Sequence, residues 1–164
     1  MAIRTIQMTD WNEILRIQND MYSDVAPETL SVLQSKWESA PNCCFVYEQN
    51  QQVSAYLISH LWRYEHPPKL HTALPEQCEG PILFLHDLAV SRRVSGQKIG
   101  SQLAQHCIQA AINQNCHEIR LVSVQDSFQF WEKMNFSHAP HTPVSADYGE
   151  NAKMMYRKLE HSQG

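Results

Sequence analysis

The loop Ser95-Gly96-Gln97-Lys98-Ile99-Gly100-Ser101 carries the clearest chemical signal in this sequence. Glycine permits positive φ angles and close approach of the backbone to a ligand, and a helix that starts there offers free N–H groups and a positive dipole end. Such a turn binds phosphate, and Lys98, Arg92 and Arg93 add positive charge around it. The loop therefore predicts a pyrophosphate site. The alternative is an ordinary strand-to-helix turn, which is common in α/β proteins.

The elements on either side of the loop are a strand and a helix. A nearly continuous apolar run from Ile82 to Val90 follows Gly80-Pro81, which is typical of a strand buried on both faces. From Gly100 onward the apolar residues recur at helical spacing, and glutamine, histidine and asparagine fill the other positions. The chain is therefore predicted to run strand, loop, helix.

Two stretches of the sequence resemble a known family. LAVSRRVSGQKIGSQL resembles the acetyl-CoA pyrophosphate loop of the GNAT superfamily of N-acetyltransferases, and FWEKMNF, from Phe130 to Phe136, resembles a second motif of that family. Within the superfamily, AYLISHLW and FLHDLAV are most similar to the arylalkylamine N-acetyltransferases. The resemblance implies an α+β fold, the GNAT acyl-CoA N-acyltransferase fold with a mixed sheet, about seven strands and four helices, in one domain spanning residues 1–164.

The same resemblance implies acetyl-CoA as co-substrate and assigns residues to it. Backbone groups of Leu88 and Val90 are expected to bind the pantetheine arm. The full set of expected cofactor-binding residues is Leu88, Ala89, Val90, Ser95, Gly96, Gln97, Lys98, Ile99, Gly100, Ser101, Asp126 and Trp131. No metal is expected, because the histidines and cysteines lack the tight spacing of metal sites.

Four positions depart from the family pattern. Ser95 stands where glutamine or arginine is usual, and Lys98 stands where the middle glycine is usual. The arylalkylamine group has two histidines on its central strand, and the first of these positions is Phe84 here. Trp131 occupies the position of the tyrosine that protonates the departing thiolate. An indole donates a hydrogen bond but no proton at neutral pH, so a slower enzyme is predicted.

His86 matches the second histidine of the arylalkylamine group, and the resemblance makes it the expected general base. An amine must lose a proton to attack a thioester, and a group that titrates near neutrality can accept that proton, directly or through water. The alternative interpretation is a core histidine satisfied by hydrogen bonds. In a regular strand, Asp87 would point to the opposite face.

Composition limits the classes of partner. The chain is 43% hydrophobic and 18% charged, which is typical of a globular protein rather than a disordered one. The net charge of −4 and the scattered basic residues argue against nucleic acid or an anionic membrane as a partner. The N-terminus MAIRTIQMTD lacks the regions of a signal peptide, and the five cysteines suit free buried thiols, so a cytoplasmic location is expected. Whether the chain forms a homodimer is left open by the sequence.

The remaining elements are predicted in the order β-α-α-β-β-β-α-β-α-β-β. Cys43 to Glu48 and Val53 to Trp62 are predicted to form a hairpin joined by the polar turn Gln49-Asn50-Gln51-Gln52. Asp10 and Glu13 form a capping box that opens the first helix, and Pro27 opens the second. Aromatic residues on these helices either line an acceptor pocket or belong to the core. The long segment from Arg63 to Gly80 is either a lid, with Tyr64, His66 and His71 as candidate contacts, or a proline-stiffened surface loop.

Three functions are compatible with the sequence. The first is an acetyl-CoA-dependent N-acetyltransferase for a primary amine of a small molecule, in which the acetyl group is transferred by direct attack. The second is an N-acetyltransferase of the same fold for peptides or proteins. The third is a non-catalytic GNAT-like module that binds CoA, for which the altered loop and Trp131 would be the reason.

Overall fold

A seven-stranded sheet forms the centre of the molecule, in a computed structural model that describes residues 2–22, 26–94 and 98–160. The strand order is β1-β2-β3-β4-β5-β7-β6, in which β4 and β5 are parallel and the other neighbours are antiparallel. The strands are β1 (Ala2–Thr5), β2 (Phe45–Gln49), β3 (Gln52–Trp62), β4 (Ile82–Val90), β5 (Glu118–Ser123), β6 (Ser137–His138) and β7 (Lys153–Lys158).

Four α-helices cover the sheet: α1 (Trp11–Met21), α2 (Leu30–Ser39), α3 (Ile99–Asn113) and α4 (Phe128–Lys133). The order of helices and strands confirms the sequence-based prediction of an α+β fold with seven strands and four helices. None of the helices among the described residues is long and apolar enough to cross a membrane.

The helices pack on opposite faces of the sheet. Along β3, Ala55 and Leu57 belong to the core cluster that contains α3, whereas the alternate residues Tyr56 and Ile58 belong to the cluster that contains α1 and α2. Successive side chains of a strand point to opposite faces, so α3 lies on one face and the α1/α2 pair on the other. All five cysteines are free and buried.

The hairpin of β2 and β3 follows the prediction closely. Its turn residues Asn50 and Gln51 have φ angles of 53° and 64°. Left-handed conformations at both central positions define the turn that matches the twist of paired strands, and asparagine favours them.

Helix α1 begins directly after Asp10, as predicted, whereas the predicted capping box and the start of the second helix are corrected by the structure. The Asp10 side chain does not cap α1, because it accepts hydrogen bonds from the Arg4 guanidinium and the Gln7 N–H. The second helix begins at Leu30 rather than at Pro27, with the Thr29 hydroxyl accepting a hydrogen bond from the Val32 N–H. Residues 26–29 therefore form a connection between the helices.

Candidate active site

The two parallel strands separate at their carboxyl ends. Only Ile82–Phe84 of β4 pairs with Glu118–Arg120 of β5, although β4 continues to Val90 and β5 to Ser123. A cavity of about 370 Å³ lies at this separation, and both strands line it. Parallel strands that diverge leave backbone N–H and C=O groups without ladder partners, so this cavity can bind a ligand through the main chain.

His86 lies in the wall of this cavity with its main chain facing the opening. Its side chain is only 2% exposed, yet the residue as a whole is half-buried, so the accessible surface belongs to the backbone. Further along β4, the Leu88 carbonyl oxygen accepts a hydrogen bond of 2.9 Å from the Tyr22 hydroxyl. The inner strand therefore offers its backbone to the cavity and its His86 side chain to the interior.

A β-bulge at His86 corrects the predicted orientation of Asp87. In the pairing of β3 with β4, Ile58 is opposite Asp87 and Ser59 is opposite Leu85, which leaves His86 as the extra residue. A bulge interrupts the alternation of side chains. Consequently His86 and Asp87 both contact groups on the α1/α2 face, and the opposite orientation expected for a regular strand does not apply here.

The imidazole of His86 is bound to a buried carboxylate. Its Nε2 is hydrogen-bonded to Oε1 of Glu28, a residue of the α1–α2 connection. The other carboxylate oxygen, Oε2, lies 3.3 Å from Lys36 Nζ and accepts a hydrogen bond of 2.9 Å from the His71 N–H. Burial opposes ionisation of Glu28, but His86, Lys36 and the His71 N–H together hold its pKa well below the usual value. Glu28 is therefore a carboxylate, and His86 Nε2 is the donor.

Asp87 forms a second polar cluster beside this one. The Tyr56 hydroxyl donates a hydrogen bond of 2.7 Å to its carboxylate. Burial raises the pKa of Asp87, although the nearby His86 favours its charged form. Burial also raises the pKa of both Tyr22 and Tyr56 well above the usual value, so these phenols keep their protons.

A second histidine ring reaches the site from the neighbouring strand. His60 of β3 stacks on Phe84 with 5.6 Å between ring centroids and lies 6.1 Å from the His86 ring. Burial, together with a smaller effect of the nearby His86, lowers the pKa of His60 to about 3, so the ring is neutral at physiological pH. The position of Phe84, where the sequence lacks a histidine, is therefore flanked by a histidine from β3.

The predicted cofactor-binding residues divide into three groups. Those that line the cavity are Leu88, Ala89, Val90, Gly100 and Trp131. Those that the structure describes outside its lining are Lys98, Ile99, Ser101 and Asp126, of which Ile99 is buried in the core and Asp126 is exposed. Ser95, Gly96 and Gln97 lie outside the described residues.

Lys98 adopts the conformation that the family pattern assigns to glycine. Its φ and ψ of 57° and 27° lie in the left-handed region, directly before α3. A non-glycine residue reaches this conformation at a cost of about 1 kcal/mol. Lys98 therefore takes a conformation that glycine adopts more readily.

Trp131, at the position of the family's tyrosine, and Tyr148 both belong to the cavity wall. Trp131 lines the cavity and is buried against the ring of Phe136. Tyr148 also lines the cavity, and its hydroxyl donates a hydrogen bond of 2.6 Å to the Pro68 carbonyl oxygen. Tyr156 is half-buried on β7 and does not line the cavity.

The β3–β4 connection, residues 63–81, contributes to the wall of the cavity. Leu70 lines the cavity, and the His71 N–H reaches Glu28. The predicted contacts Tyr64 and His66 instead stack on each other at the surface, with 5.2 Å between ring centroids. The segment therefore contacts the site through the His71 backbone and the Leu70 side chain, and not through the aromatic side chains of Tyr64 and His66.

Glu28, Lys36 and Gln18 are the site residues that sequence reasoning missed. Lys36 and Gln18 carry a recognisable signal, because each lies on the apolar face of its helix: Lys36 follows Val32 and Leu33 at helical spacing, and Gln18 adjoins Ile17. A polar residue at such a position is buried and must be paired. Glu28 carries no such signal, since it lies in a connection.

Among the aromatic residues predicted to lie either in a pocket or in the core, Tyr22 lines the cavity, whereas Trp11 and Trp37 pack edge to face.

The residues present fit an acyl-CoA. Beyond Phe84 the backbone of β4 has no ladder partner on β5, and this stretch runs along the cavity. Gly100, in the first turn of α3, brings a helix N-terminus to the same cavity. Among the described residues, no group of three or more histidine, cysteine, aspartate or glutamate side chains could hold a metal ion.

Comparison with known proteins identifies the class. The sequence pattern of the acetyltransferase (GNAT) family matches residues 11–136, and the chain belongs to this family. It is therefore an acetyl-CoA-dependent N-acetyltransferase, as the sequence predicted. A search of curated protein sequences found no match.

Solved structures support the fold. Ard1 from Thermoplasma volcanium is 18% identical with a TM-score of 0.75, and the match covers 98% of each chain. The ribosomal-protein-S18-alanine N-acetyltransferase from Escherichia coli is 16% identical with a TM-score of 0.72, covering 99% of this chain and 96% of that one. Naa50 from Arabidopsis thaliana, in complex with the bisubstrate analogue CoA-Ac-MVNAL, is 14% identical with a TM-score of 0.70, covering 96% and 98%.

Proposed function

We propose that this enzyme acetylates a primary amine of a small molecule, with His86 as the general base. The observation that carries the proposal is the joining of two connections at the cavity wall. Tyr148 in residues 139–152, between β6 and β7, is hydrogen-bonded to Pro68 of the β3–β4 connection, and both Tyr148 and Leu70 line the cavity. An extended peptide would need these connections apart, whereas a small amine does not.

In this proposal the acceptor amine loses its proton to His86. Acetyl-CoA supplies the acetyl group as an activated thioester, and the backbone of Leu88 and Val90 with Gly100 would hold it. The Nδ1 atom of His86 is buried behind the cavity wall and has no hydrogen-bond partner among the described residues, so its lone pair is free, and a water molecule would carry the amine proton to it.

The lining of the cavity favours an amine with an apolar body. Met21, Leu70, Val122 and Phe130 lie in its wall, next to the aromatic rings of Tyr22 and Trp131. The carboxylates of Glu28 and Asp87 lie in the same wall and attract an amine that arrives as an ammonium ion. Together these features support the likeness to the arylalkylamine N-acetyltransferases drawn from the sequence.

Replacing His86 by glutamine tests the base. The glutamine amide can reach the position of Nε2 and keep a hydrogen bond to Glu28, but it cannot accept the amine proton. We expect kcat/KM for amine substrates to fall by about 10²–10⁴-fold at pH 7 with the affinity for acetyl-CoA retained. The matched control is His106→Gln on the exposed face of α3, which should keep full activity. An unchanged rate in a folded His86→Gln variant would exclude His86 as the base.

The second candidate acceptor is a peptide or protein N-terminus. It is favoured by the structural neighbours, which include the ribosomal-protein-S18-alanine N-acetyltransferase and the Naa50 complex with CoA-Ac-MVNAL. A panel of arylalkyl and alkyl amines beside short peptides with free N-termini separates the two. The small-molecule proposal requires the amines to be turned over more efficiently than every peptide tested, and the reverse order would replace it.

We further propose a cytoplasmic location. The five cysteine thiols are free and buried, and free thiols are typical of reducing compartments. Fractionation of the cells that produce the protein, followed by immunoblotting, tests this location.

A further inference from the structure

We infer that Glu28 is a positioning residue that fixes the tautomer and orientation of His86, and that Lys36 and Gln18 fix Glu28. The inference rests on the proposed role of His86 as base. The geometry that supports it is a continuous buried chain of contacts from α1 and α2 to the bulge of β4.

The two oxygens of the Glu28 carboxylate have separate tasks. Oε2 is occupied by Lys36 Nζ at 3.3 Å and by the His71 N–H at 2.9 Å. Oε1 is the oxygen bound to His86 Nε2. With Oε2 held by two donors, the carboxylate cannot rotate without losing them, so Oε1 stays directed at the imidazole.

The backbone of Glu28 is held as firmly as its side chain. The Gln18 side chain donates from Nε2 to the Glu28 carbonyl oxygen at 3.1 Å and accepts from the Glu28 N–H at 3.0 Å. This pair of hydrogen bonds is buried and ties the α1–α2 connection to α1. Gln18 thus replaces the backbone pairing that a residue outside a helix or strand lacks.

The consequence for His86 is a single tautomer. An ionised carboxylate only accepts hydrogen bonds, so Nε2 must carry a proton. The neutral ring then has its lone pair on Nδ1, the atom without a partner among the described residues. Without Glu28 the ring could exchange tautomers or rotate, and the lone pair would be on the wrong atom for part of the time.

Stability does not explain this arrangement well. The side chains of Lys36 and Glu28 are 0% and 4% exposed, and desolvation of a buried ion pair offsets much of its attraction. Well-packed apolar residues usually stabilise a core as well or better. A buried lysine that contacts the carboxylate bound to the proposed base therefore points to a functional role.

The first experiment compares pH profiles of Glu28→Gln with the wild type. The charged and titratable groups that face His86 are Glu28, Lys36, His60 and Asp87, and only the first is changed. Loss of the carboxylate removes the negative charge that the imidazole contacts, so the acidic limb of the kcat/KM profile should move to lower pH. We expect kcat at pH 7 to fall tenfold or more, with KM for acetyl-CoA unchanged. Glu13→Gln, on an exposed pair of α1, is the matched control.

Glu28→Gln leaves Lys36 buried without its partner, which can prevent folding. A second variant therefore keeps the inference testable if the first does not fold. Glu28→Gln/Lys36→Met removes both charges and should fold, with a smaller shift of the pH profile in the same direction, because loss of the Lys36 charge acts in the opposite sense. If both variants keep the wild-type profile while His86→Gln is inactive, Glu28 has no positioning role. If His86→Gln itself is active, the proposed base is wrong instead.

Nitrogen-15 NMR of the histidines gives a readout that does not depend on activity. The wild-type signal of His86, assigned by its absence in His86→Gln, should report a proton on Nε2 and a lone pair on Nδ1. In the double variant it should report a mixture of tautomers. A wild-type His86 protonated on Nδ1 would overturn the inference.

Discussion

His60 and Lys36 are both fully buried, yet their neighbours favour a neutral ring at His60 and a charged side chain at Lys36. Lys36 contacts a carboxylate, and although burial lowers its pKa, Glu28 favours the charged form. His60 has only the Leu61 carbonyl as a partner for Nδ1, at 3.1 Å, and its Nε2 has none among the described residues. Burial therefore keeps His60 neutral, and this neutrality makes the stability of the fold depend on pH.

Replacing His60 by phenylalanine should reduce acid sensitivity. In the folded protein burial lowers the pKa of His60 to about 3, whereas the unfolded chain takes up a proton near pH 6.5. Between these values the unfolded state binds more protons, so the unfolding free energy falls as pH falls. At pH 5 this histidine should have removed about 2 kcal/mol relative to pH 7. Urea unfolding at the two pH values measures the difference, which should be smaller in His60→Phe.

An exposed histidine serves as the control for this measurement. His106→Phe changes a solvent-exposed ring on α3 and should keep the wild-type difference between pH 7 and pH 5. Equal pH dependence in His60→Phe and the wild type would show that the buried ring is protonated in the folded state, in conflict with its burial.

Among the elements, the β3–β4 connection supplies part of the cavity wall. It contacts Glu28 through the His71 N–H, and Pro68 accepts the hydrogen bond of Tyr148. Both Pro68 and Tyr148 are buried, so their contact is shielded from water. The two connections therefore form one wall rather than two independent loops.

Tyr148→Phe should loosen this wall. Removing the hydroxyl leaves the buried Pro68 carbonyl without that partner, which should cost about 1–3 kcal/mol of stability. The looser wall should raise KM for small amines and narrow the preference for them over peptides. Tyr64→Phe is the control, because Tyr64 is 36% exposed in the same connection. Thermal unfolding and the acceptor panel measure both effects, and an unchanged preference would mean that the contact does not select the acceptor.

The sequence predicted elements well where the evidence was local. The apolar run of β4 has the same bounds in the structure, and the polar turn at Asn50 and Gln51 joins β2 to β3 as expected. The bulge at His86 could not be predicted, because it is a mismatch of register between two strands rather than a property of one. The left-handed conformation of Lys98 could not be predicted from its residue type, because residues other than glycine rarely adopt it.

The candidate site was predicted less completely, for the same physical reason. His86, Gly100 and Trp131 were expected from motifs and do line one cavity. Glu28 is 58 residues from His86 in sequence, and nothing local specifies their contact. Contacts of this kind depend on how α1 and α2 dock on the sheet, which periodicity does not determine.

At the scale of the whole molecule, the cavity joins two parts of the sheet. The strands β1 to β4 carry α1, α2 and the proposed base, whereas β5 to β7 lie beyond the separation from β4. Trp131 of α4 and Gly100 of α3 line the cavity together with β4. A ligand in this cavity contacts both parts at once, so its binding should stabilise the entire fold.

Acetyl-CoA should therefore raise the melting temperature in a dose-dependent way. At a hundredfold excess over the dissociation constant the stabilisation is about 2.7 kcal/mol, or roughly 5–10 °C for a chain of this size. Free CoA should also raise it, and ATP should not. Gly100→Leu should reduce the shift, because its Cβ would already lie 3.6 Å from the Phe130 ring and a longer side chain would enter the cavity. Gln105→Leu, on the exposed face of α3, should leave the shift intact. Equal shifts in both variants would place acetyl-CoA elsewhere, because only the Gly100 substitution adds a side chain to the cavity.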